Sequence, residues 1–387
     1  MKKPYTLTAV VFLVFIFGLA LFLLTDLLHI GGSVLTAWRN TDGGIVEHLD
    51  AATGSAEEAL SASLRRGNGA VELYGGLLRL MGRKVSEDPT IADYSVARLE
   101  NGAITFVNLD TVQLPDNSET VAEISGWSET LADAGIPLLH IAYPKKTPRT
   151  DSGLPAGLAD WPVLKMTALA DGLREAGVAV LDLRDAFEGL GDYSHLFFRT
   201  DHHWNIRGGL FAYQTIAHTL RADYGLDIDP FYEDSANYNS EILKDWFLGS
   251  QGKRVGTLFA GTDDFELLTP AFDTRFTFSV PSEGVERTGT MEQTILFPQR
   301  VAQRDYYGGN PYTYYGGGDY DLLTIENHLN PGGPRILLVR DSMACAVTPF
   351  LACACSRLVQ VDTRSYEGDV ARLAQELGVD MVLVLRA

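Results

Sequence analysis

The sequence predicts an α/β fold: a parallel sheet with helices on both faces, a loop-rich insert and one N-terminal transmembrane helix. Three observations carry this. Short, continuous apolar runs recur along the chain with helical stretches between them. The alternation stops between Tyr224 and Asn330, where Gly, Tyr, Phe, Asp and Thr dominate. Two chemically loaded motifs, Asp201-His202-His203-Trp204 and Arg340-Asp341-Ser342, stand at junctions of the pattern. Strands that are apolar throughout are buried on both faces, as parallel sheets require.

From the N-terminus, Pro4 to Thr25 carries no charge, and Ala9 to Leu24 is nearly all Val, Phe, Leu, Ile, Ala and Gly, between Lys2-Lys3 and Asp26. That length spans a bilayer, and the basic flank sets the N-terminus in the cytoplasm. Residues 1–30 are expected to be an uncleaved anchor. A cleaved signal is the competing reading, and both export the remainder. Residues 31–95 read as a membrane-proximal helical segment, with a helix over 50–66 broken by Gly67-Asn68-Gly69. Residues 96–387 are the expected catalytic domain, with the insert at about 224–330.

Within that domain the strand candidates are 104–107, 137–143, 178–182, 336–339, 358–361 and 381–384. The helices between them fall at 118–134, 161–175, 207–220, 343–355 and 368–377. The insert reads as loops and short strands capping a cleft.

A formal net charge of −19 over 387 residues leaves nothing to neutralise a phosphate backbone and argues against nucleic acid as a partner. Cys345, Cys353 and Cys355 fall within eleven residues of one another and do not form a disulfide framework. They read as small packing residues.

Serine, imidazole and carboxylate together are what acyl transfer through an oxygen nucleophile requires. Ser342 follows a strand and precedes a helix, so it stands at the carboxyl end of the sheet with unpaired helix N–H groups nearby. The bland alternative is that Asp341 and Ser342 only cap that helix. His203 is the preferred base, since Asp201 two residues away can orient it; His202 would face packing or substrate. Metal binding by Asp201, His202 and His203 is the rival, but adjacent histidines rarely chelate one ion and no second cluster accompanies them, so neither metal nor cofactor is expected. Phe247–Arg254 is a glycine-bearing loop ending in Lys253 and Arg254, suited to an anionic group or to lending N–H groups to an oxyanion, or else an ordinary turn. Asp362 and Arg364 form either an ion pair or a carboxylate clamp. Trp204 and tyrosines 306, 307, 312, 314 and 315 suit stacking against sugar rings, although each alone is more often packing.

In joint order, Arg199-Thr-Asp-His-His-Trp204, Phe247-Leu-Gly-Ser-Gln-Gly-Lys-Arg-Val-Gly256, the Tyr-Gly-Gly-Asn-Pro segment, Val339-Arg-Asp-Ser-Met and Val361-Asp-Thr-Arg364 resemble the DHHW proteins. That family is related to the periplasmic alginate-type O-acetyltransferases, with an SGNH-hydrolase-like (flavodoxin-like) fold. The resemblance covers roughly residues 100–387. It implies a triad of Ser342, His203 and Asp201, with the Asp-x-His pair preceding the serine, the reverse of ordinary SGNH esterases. It departs at Met343-Ala344-Cys345, where similar proteins usually have Tyr-Ala-Asn, and at Arg340, which replaces a lysine or glycine.

The expected protein is thus an extracytoplasmic, membrane-anchored O-acetyltransferase acting on a surface or secreted polysaccharide through an acyl-Ser342 intermediate. A membrane-bound O-acyltransferase would be its acyl supplier. An acetylesterase, or an inactive glycan-binding component of a polymer-export complex, are the alternatives.

Overall fold

The computed structural model describes residues 13, 17, 31–41, 43–66, 68–88, 94–109 and 116–387. They fall into two compact units, Met1–Val71 and Glu72–Ala387. The expected anchor over 1–30 lies, except for Leu13 and Phe17, outside the described residues. Among the described residues no helix is long and apolar enough to cross a membrane. The first unit contains helix α1 (Ile45–Arg66), longer at its start than the sequence indicates. Helix α2 (Gly69–Leu80) follows the glycine break, so the larger unit begins at Glu72 rather than near residue 96.

The core of the larger unit is an eight-stranded sheet. In chain order its strands are β4 (Leu138–Ala142), β5 (Ala179–Asp182), β8 (Phe276–Val280), β9 (Val285–Gly289), β10 (Leu322–Asn327), β11 (Arg335–Arg340), β12 (Arg357–Val361) and β13 (Met381–Leu385). Their spatial order is β5-β4-β13-β11-β12-β10-β8-β9. The first five of these are mutually parallel, with β11 central. Successive residues of β11 show why its apolar run is continuous. Ile336 and Leu338 join one buried cluster and Leu337 and Val339 the other, one on each face of the sheet.

Helices α3 (Ser118–Asp133) and α11 (Val370–Leu377) supply one face; α6 (Ile206–Tyr224) and α10 (Thr348–Ala354) supply the other. α4 (Trp161–Glu175) and α5 (Leu183–Glu188) flank β5.

The sheet is not wholly parallel. β10, β8 and β9 add antiparallel to its β12 edge, so three strands of the expected capping insert are part of the main sheet. The rest of the insert contains the hairpin β6 (Tyr238–Phe247)–β7 (Asp263–Pro270) and two short helices, α7 (Gly252–Val255) and α8 (Thr257–Ala260). A small sheet of β1 (Val85–Ser86), β2 (Ser95–Arg98) and β3 (Ile104–Val107) shares a satellite core with α2, α7 and α8 through Leu78, Val96, Ile104, Val255 and Phe259.

Candidate active site

The Asp-His-His-Trp residues occupy a tight loop closed at its base. Phe197 bridges Trp204 antiparallel, and the Asn205 N–H donates to Leu196 O at 2.9 Å. The loop is fastened from outside by groups the sequence did not single out. Asp263 accepts the backbone N–H groups of Arg199 (2.7 Å) and Thr200 (2.8 Å) and the Thr200 hydroxyl (2.5 Å). The buried Lys146 amine donates to Ile104 O (2.6 Å), Phe198 O (2.9 Å), Arg199 O (3.2 Å) and Gln251 Oε1 (3.0 Å). Its burial pushes the amine down to about 8.

The glycine-bearing loop serves a different anion from the one expected. Its Ser250 N–H donates to Asp201 Oδ2 at 2.6 Å, and its Gly249 N–H to Thr200 Oγ1 at 2.8 Å. The first donor points at the protein's own carboxylate and the second at the neighbouring hydroxyl, neither at an oxyanion. The other oxygen, Asp201 Oδ1, accepts the His203 backbone N–H at 3.0 Å and contacts Nδ1 of the same imidazole. Burial alone would raise the Asp201 carboxyl. The charges of His203 and His202, with the hydrogen bonds from His203 and Ser250, outweigh it and hold the group well below the usual carboxylate range.

His203 Nε2 lies 2.8 Å from Ser342 Oγ. The imidazole therefore bridges a buried carboxylate and a half-buried hydroxyl that lies 139 positions further along the sequence than the histidine. Two rings confine it. Tyr312 stacks on one side with centroids 3.9 Å apart and planes 17° apart, and the His202 centroid lies 3.8 Å away.

Ser342 comes directly off the carboxyl end of β11. The sequence suggested a helix from about 343; the chain instead makes a 3-10 turn over Ser342–Ala346, and α10 begins at Thr348 with Pro349 in its first turn. Asp341 does cap this turn, accepting the Met343 N–H at 2.9 Å, and Tyr143 at the end of β4 donates to its second oxygen at 2.7 Å. Capping and the His203 contact thus belong to neighbouring residues and do not compete. The Ser342 N–H has no hydrogen-bond partner among the described residues.

Met343 O is a shared acceptor for Trp204 Nε1 (2.8 Å) and the Tyr312 hydroxyl (3.1 Å). Close packing of α6 brings the two halves together: a Cβ on Gly209 would lie 2.4 Å from Ala346 O.

Several expectations are corrected. Trp204 is fully buried, with Phe187 stacked on it, and cannot meet a sugar; Tyr312, Tyr314 and Tyr315 are buried too. Lys253 donates to Gly309 O at 2.6 Å and so ties down the tyrosine-rich segment. Arg254 pairs with Asp88 at 3.0 Å and stacks over Tyr94 at 3.9 Å. Arg364 is the ion pair rather than a free clamp, bonding Asp362 and, at 2.9 Å, Asp319. His202 remains at the mouth of the site, its side chain 43% exposed and its Nδ1 3.0 Å from Ser250 Oγ. One ligand atom each from Asp201, His202 and His203 lies within 4.8 Å of the others, but those same atoms are engaged with one another, Ser250 and Ser342. All three cysteines are free and buried, and burial pushes the Cys345 thiol up to about 11, which leaves it inert beside Ser342.

The fold is SGNH-like in comparison with known proteins. Residues 108–234 match the family described as the SGNH hydrolase-like domain of acetyltransferase AlgX; the match contains Asp201 and His203 but stops short of Ser342. The chain is similar to the solved structure of Bacillus cereus PatB1 with sulfonyl adduct, at 20% identity and a TM-score of 0.61, covering 78% of this chain and 95% of that one. It is also similar to a DHHW family protein from Eubacterium siraeum, at 17% identity and a TM-score of 0.58, covering 78% and 93%. No curated protein matches the sequence significantly. The resemblance to DHHW proteins seen in the motifs is therefore present in the fold as well.

Proposed function

We propose that this protein is an SGNH-like O-acetyltransferase that moves an acetyl group to a polysaccharide hydroxyl outside the cytoplasm. The observation that carries the reading is the 2.8 Å approach of His203 Nε2 to Ser342 Oγ, with Asp201 behind the imidazole. For Nε2 to accept the serine proton, Nδ1 must carry the ring's own proton, and Asp201 is the acceptor that favours this tautomer.

As Ser342 Oγ bonds to the acyl carbon, its proton passes to Nε2, and the carbonyl electrons move onto oxygen. The Ser342 N–H, free at the head of its turn, is one donor available to that oxyanion. When the tetrahedral intermediate collapses, the donor's leaving atom takes the proton from Nε2 and acyl-Ser342 remains. The acceptor hydroxyl then gives its proton to Nε2, attacks the acyl carbon, and Ser342 departs reprotonated. The family match, to an acetyltransferase domain, supports acetyl as the group moved, and the motif resemblance to alginate-type O-acetyltransferases suggests a polysaccharide as its acceptor. The apolar Ala9–Leu24 run supports an anchor with the catalytic unit exported, where a membrane-bound O-acyltransferase would supply acyl groups.

Ser342→Ala should abolish both acetyl transfer to oligosaccharide and covalent labelling by a fluorophosphonate. Undiminished labelling of that variant would refute the assignment. A chain that hydrolyses acetyl esters but never transfers to sugar would instead be an acetylesterase.

A further inference from the structure

Three arginines form a cluster that acyl transfer at Ser342 does not use. Arg98 ends β2 and Arg199 leads into the histidine loop, yet their guanidinium groups converge over the β2–β3 turn. A Cβ on Gly102 would lie 3.3 Å from Arg199 Nη2 and 3.4 Å from Arg98 Nη2. Gly102 has φ +82°, which a side chain would strain, so this residue keeps the gap between the two cations open. Arg98 Nη1 donates to Phe259 O at 3.1 Å, and Arg79 Nη1 to the adjacent carbonyl, Leu258 O, at 3.2 Å. The third guanidinium is thereby drawn to the same place.

None of the three forms a salt bridge among the described residues. Elsewhere arginines are repeatedly paired with carboxylates, as Arg149, Arg184, Arg207, Arg335 and Arg364 are. An acidic chain that gathers three cations with no carboxylate paired to them among the described residues leaves their charge for something else. Burial and the charges of Arg79 and Arg199 push the Arg98 guanidinium below its ordinary value, a repulsion that a bound anion would relieve. Each guanidinium offers five donors in a planar fork suited to tetrahedral oxyanions, and the bonds to Phe259 O and Leu258 O use one nitrogen of Arg98 and one of Arg79.

We propose that Arg79, Arg98 and Arg199, gathered over the Gly102 turn, bind a phosphate group. The site stands apart from the triad and does not depend on the function proposed for Ser342. Its source is either a soluble phosphate or an anionic phospholipid headgroup.

The test uses the full chain in phosphatidylcholine nanodiscs, titrated with inorganic phosphate by calorimetry at constant ionic strength. The expected result is saturable binding with a dissociation constant of about 1 mM or tighter, weakened about tenfold by Arg98→Gln and by Arg199→Gln. Arg372→Gln, on the far helix α11, should bind as the unsubstituted chain does. Arg199 makes no side-chain hydrogen bond among the described residues, so its variant keeps the test clear of misfolding. In nanodiscs containing phosphatidylglycerol, loss of the phosphate titration with slowed hydrogen exchange over residues 99–103 assigns the site to the lipid headgroup. An unchanged titration assigns it to soluble phosphate. Absence of saturable binding, or equal binding by both arginine variants and the unsubstituted chain, overturns the proposal.

Discussion

Gly249→Ala is the substitution that most directly tests how Asp201 is held. A Cβ at this position would stand 2.2 Å from Asp201 Cβ, 2.5 Å from its Cα and 2.6 Å from its Oδ2. Reaching ordinary contact at 3.4 Å requires the two segments to part by about 1.2 Å. Asp201 has little freedom to retreat, because Thr200 O accepts the Gly252 N–H at 2.8 Å and Asp263 holds the Thr200 N–H. The glycine loop must therefore move and carry the Ser250 N–H away from Asp201 Oδ2. Losing a hydrogen bond to a buried charge removes about 1.5–3 kcal/mol of stability. Misplacing a catalytic group by about 1 Å costs about 10²-fold in rate. The expected outcome is a hundredfold fall, roughly, in kcat/KM for p-nitrophenyl acetate, a matching slowdown in fluorophosphonate labelling and a lower urea midpoint. Gly126→Ala in α3, where a Cβ meets nothing within 4 Å, is the control and should be neutral or stabilising. If Gly249→Ala keeps its kcat/KM to within about threefold, the loop does not position Asp201 and the reasoning fails.

Asp201→Asn should lower turnover about 10⁴-fold by losing the acceptor that fixes the His203 tautomer. It should also change acid stability. The folded Asp201 carboxyl is depressed, so its contribution is fully present above the unfolded value near 4 and is lost as pH falls through the folded value. Urea unfolding should show the variant less stable at pH 7, with the gap closing below about pH 4; a gap constant with pH would exclude this linkage. Tyr312→Leu removes a stack worth about 1 kcal/mol together with the hydroxyl's bond to Met343 O and should cut kcat/KM several-fold, whereas Tyr312→Phe keeps the ring, leaves Trp204 as the donor to Met343 O and should fall by less. Equal loss in both variants would show that the hydroxyl, not the ring, matters.

The parallel half of the sheet was legible because β4 and β11 to β13 are buried on both faces and so are written as unbroken apolar runs. The antiparallel half was overlooked amid the turn-rich composition around it. Its signal was present in a weaker form: along β8, Phe276, Phe278 and Val280 are buried while Thr277 and Ser279 are half-exposed, a period-two pattern only five residues long. At the site, Asp201, His203 and Ser342 could be nominated from chemistry, since few residue types activate a hydroxyl. Their supports could not. Lys146, Asp263 and Tyr312 act through contacts 52, 63 and 109 positions away, and nothing local to a buried lysine or tyrosine names its partner. Trp204 was misjudged for the same reason: a tryptophan beside candidate site residues has one signature in sequence whether its ring faces ligand or core.

Met343 O explains why these separate pieces behave as one device. This carbonyl, one residue past Ser342, accepts from Trp204 in the histidine loop and from Tyr312 in the insert. The Tyr312 ring lies against His203, so the insert fixes that imidazole by stacking while its hydroxyl fixes the turn at Ser342. Lys253 in turn holds the approach to Tyr312 through Gly309 O. Asp201, meanwhile, is fixed by the Ser250 N–H from the glycine-bearing loop. The glycine-bearing loop therefore holds the carboxylate from one side and the tyrosine segment from the other. Its hold on the geometry comes from binding the machinery, which is why its glycines and cations read from sequence as a ligand loop although they bind the protein itself.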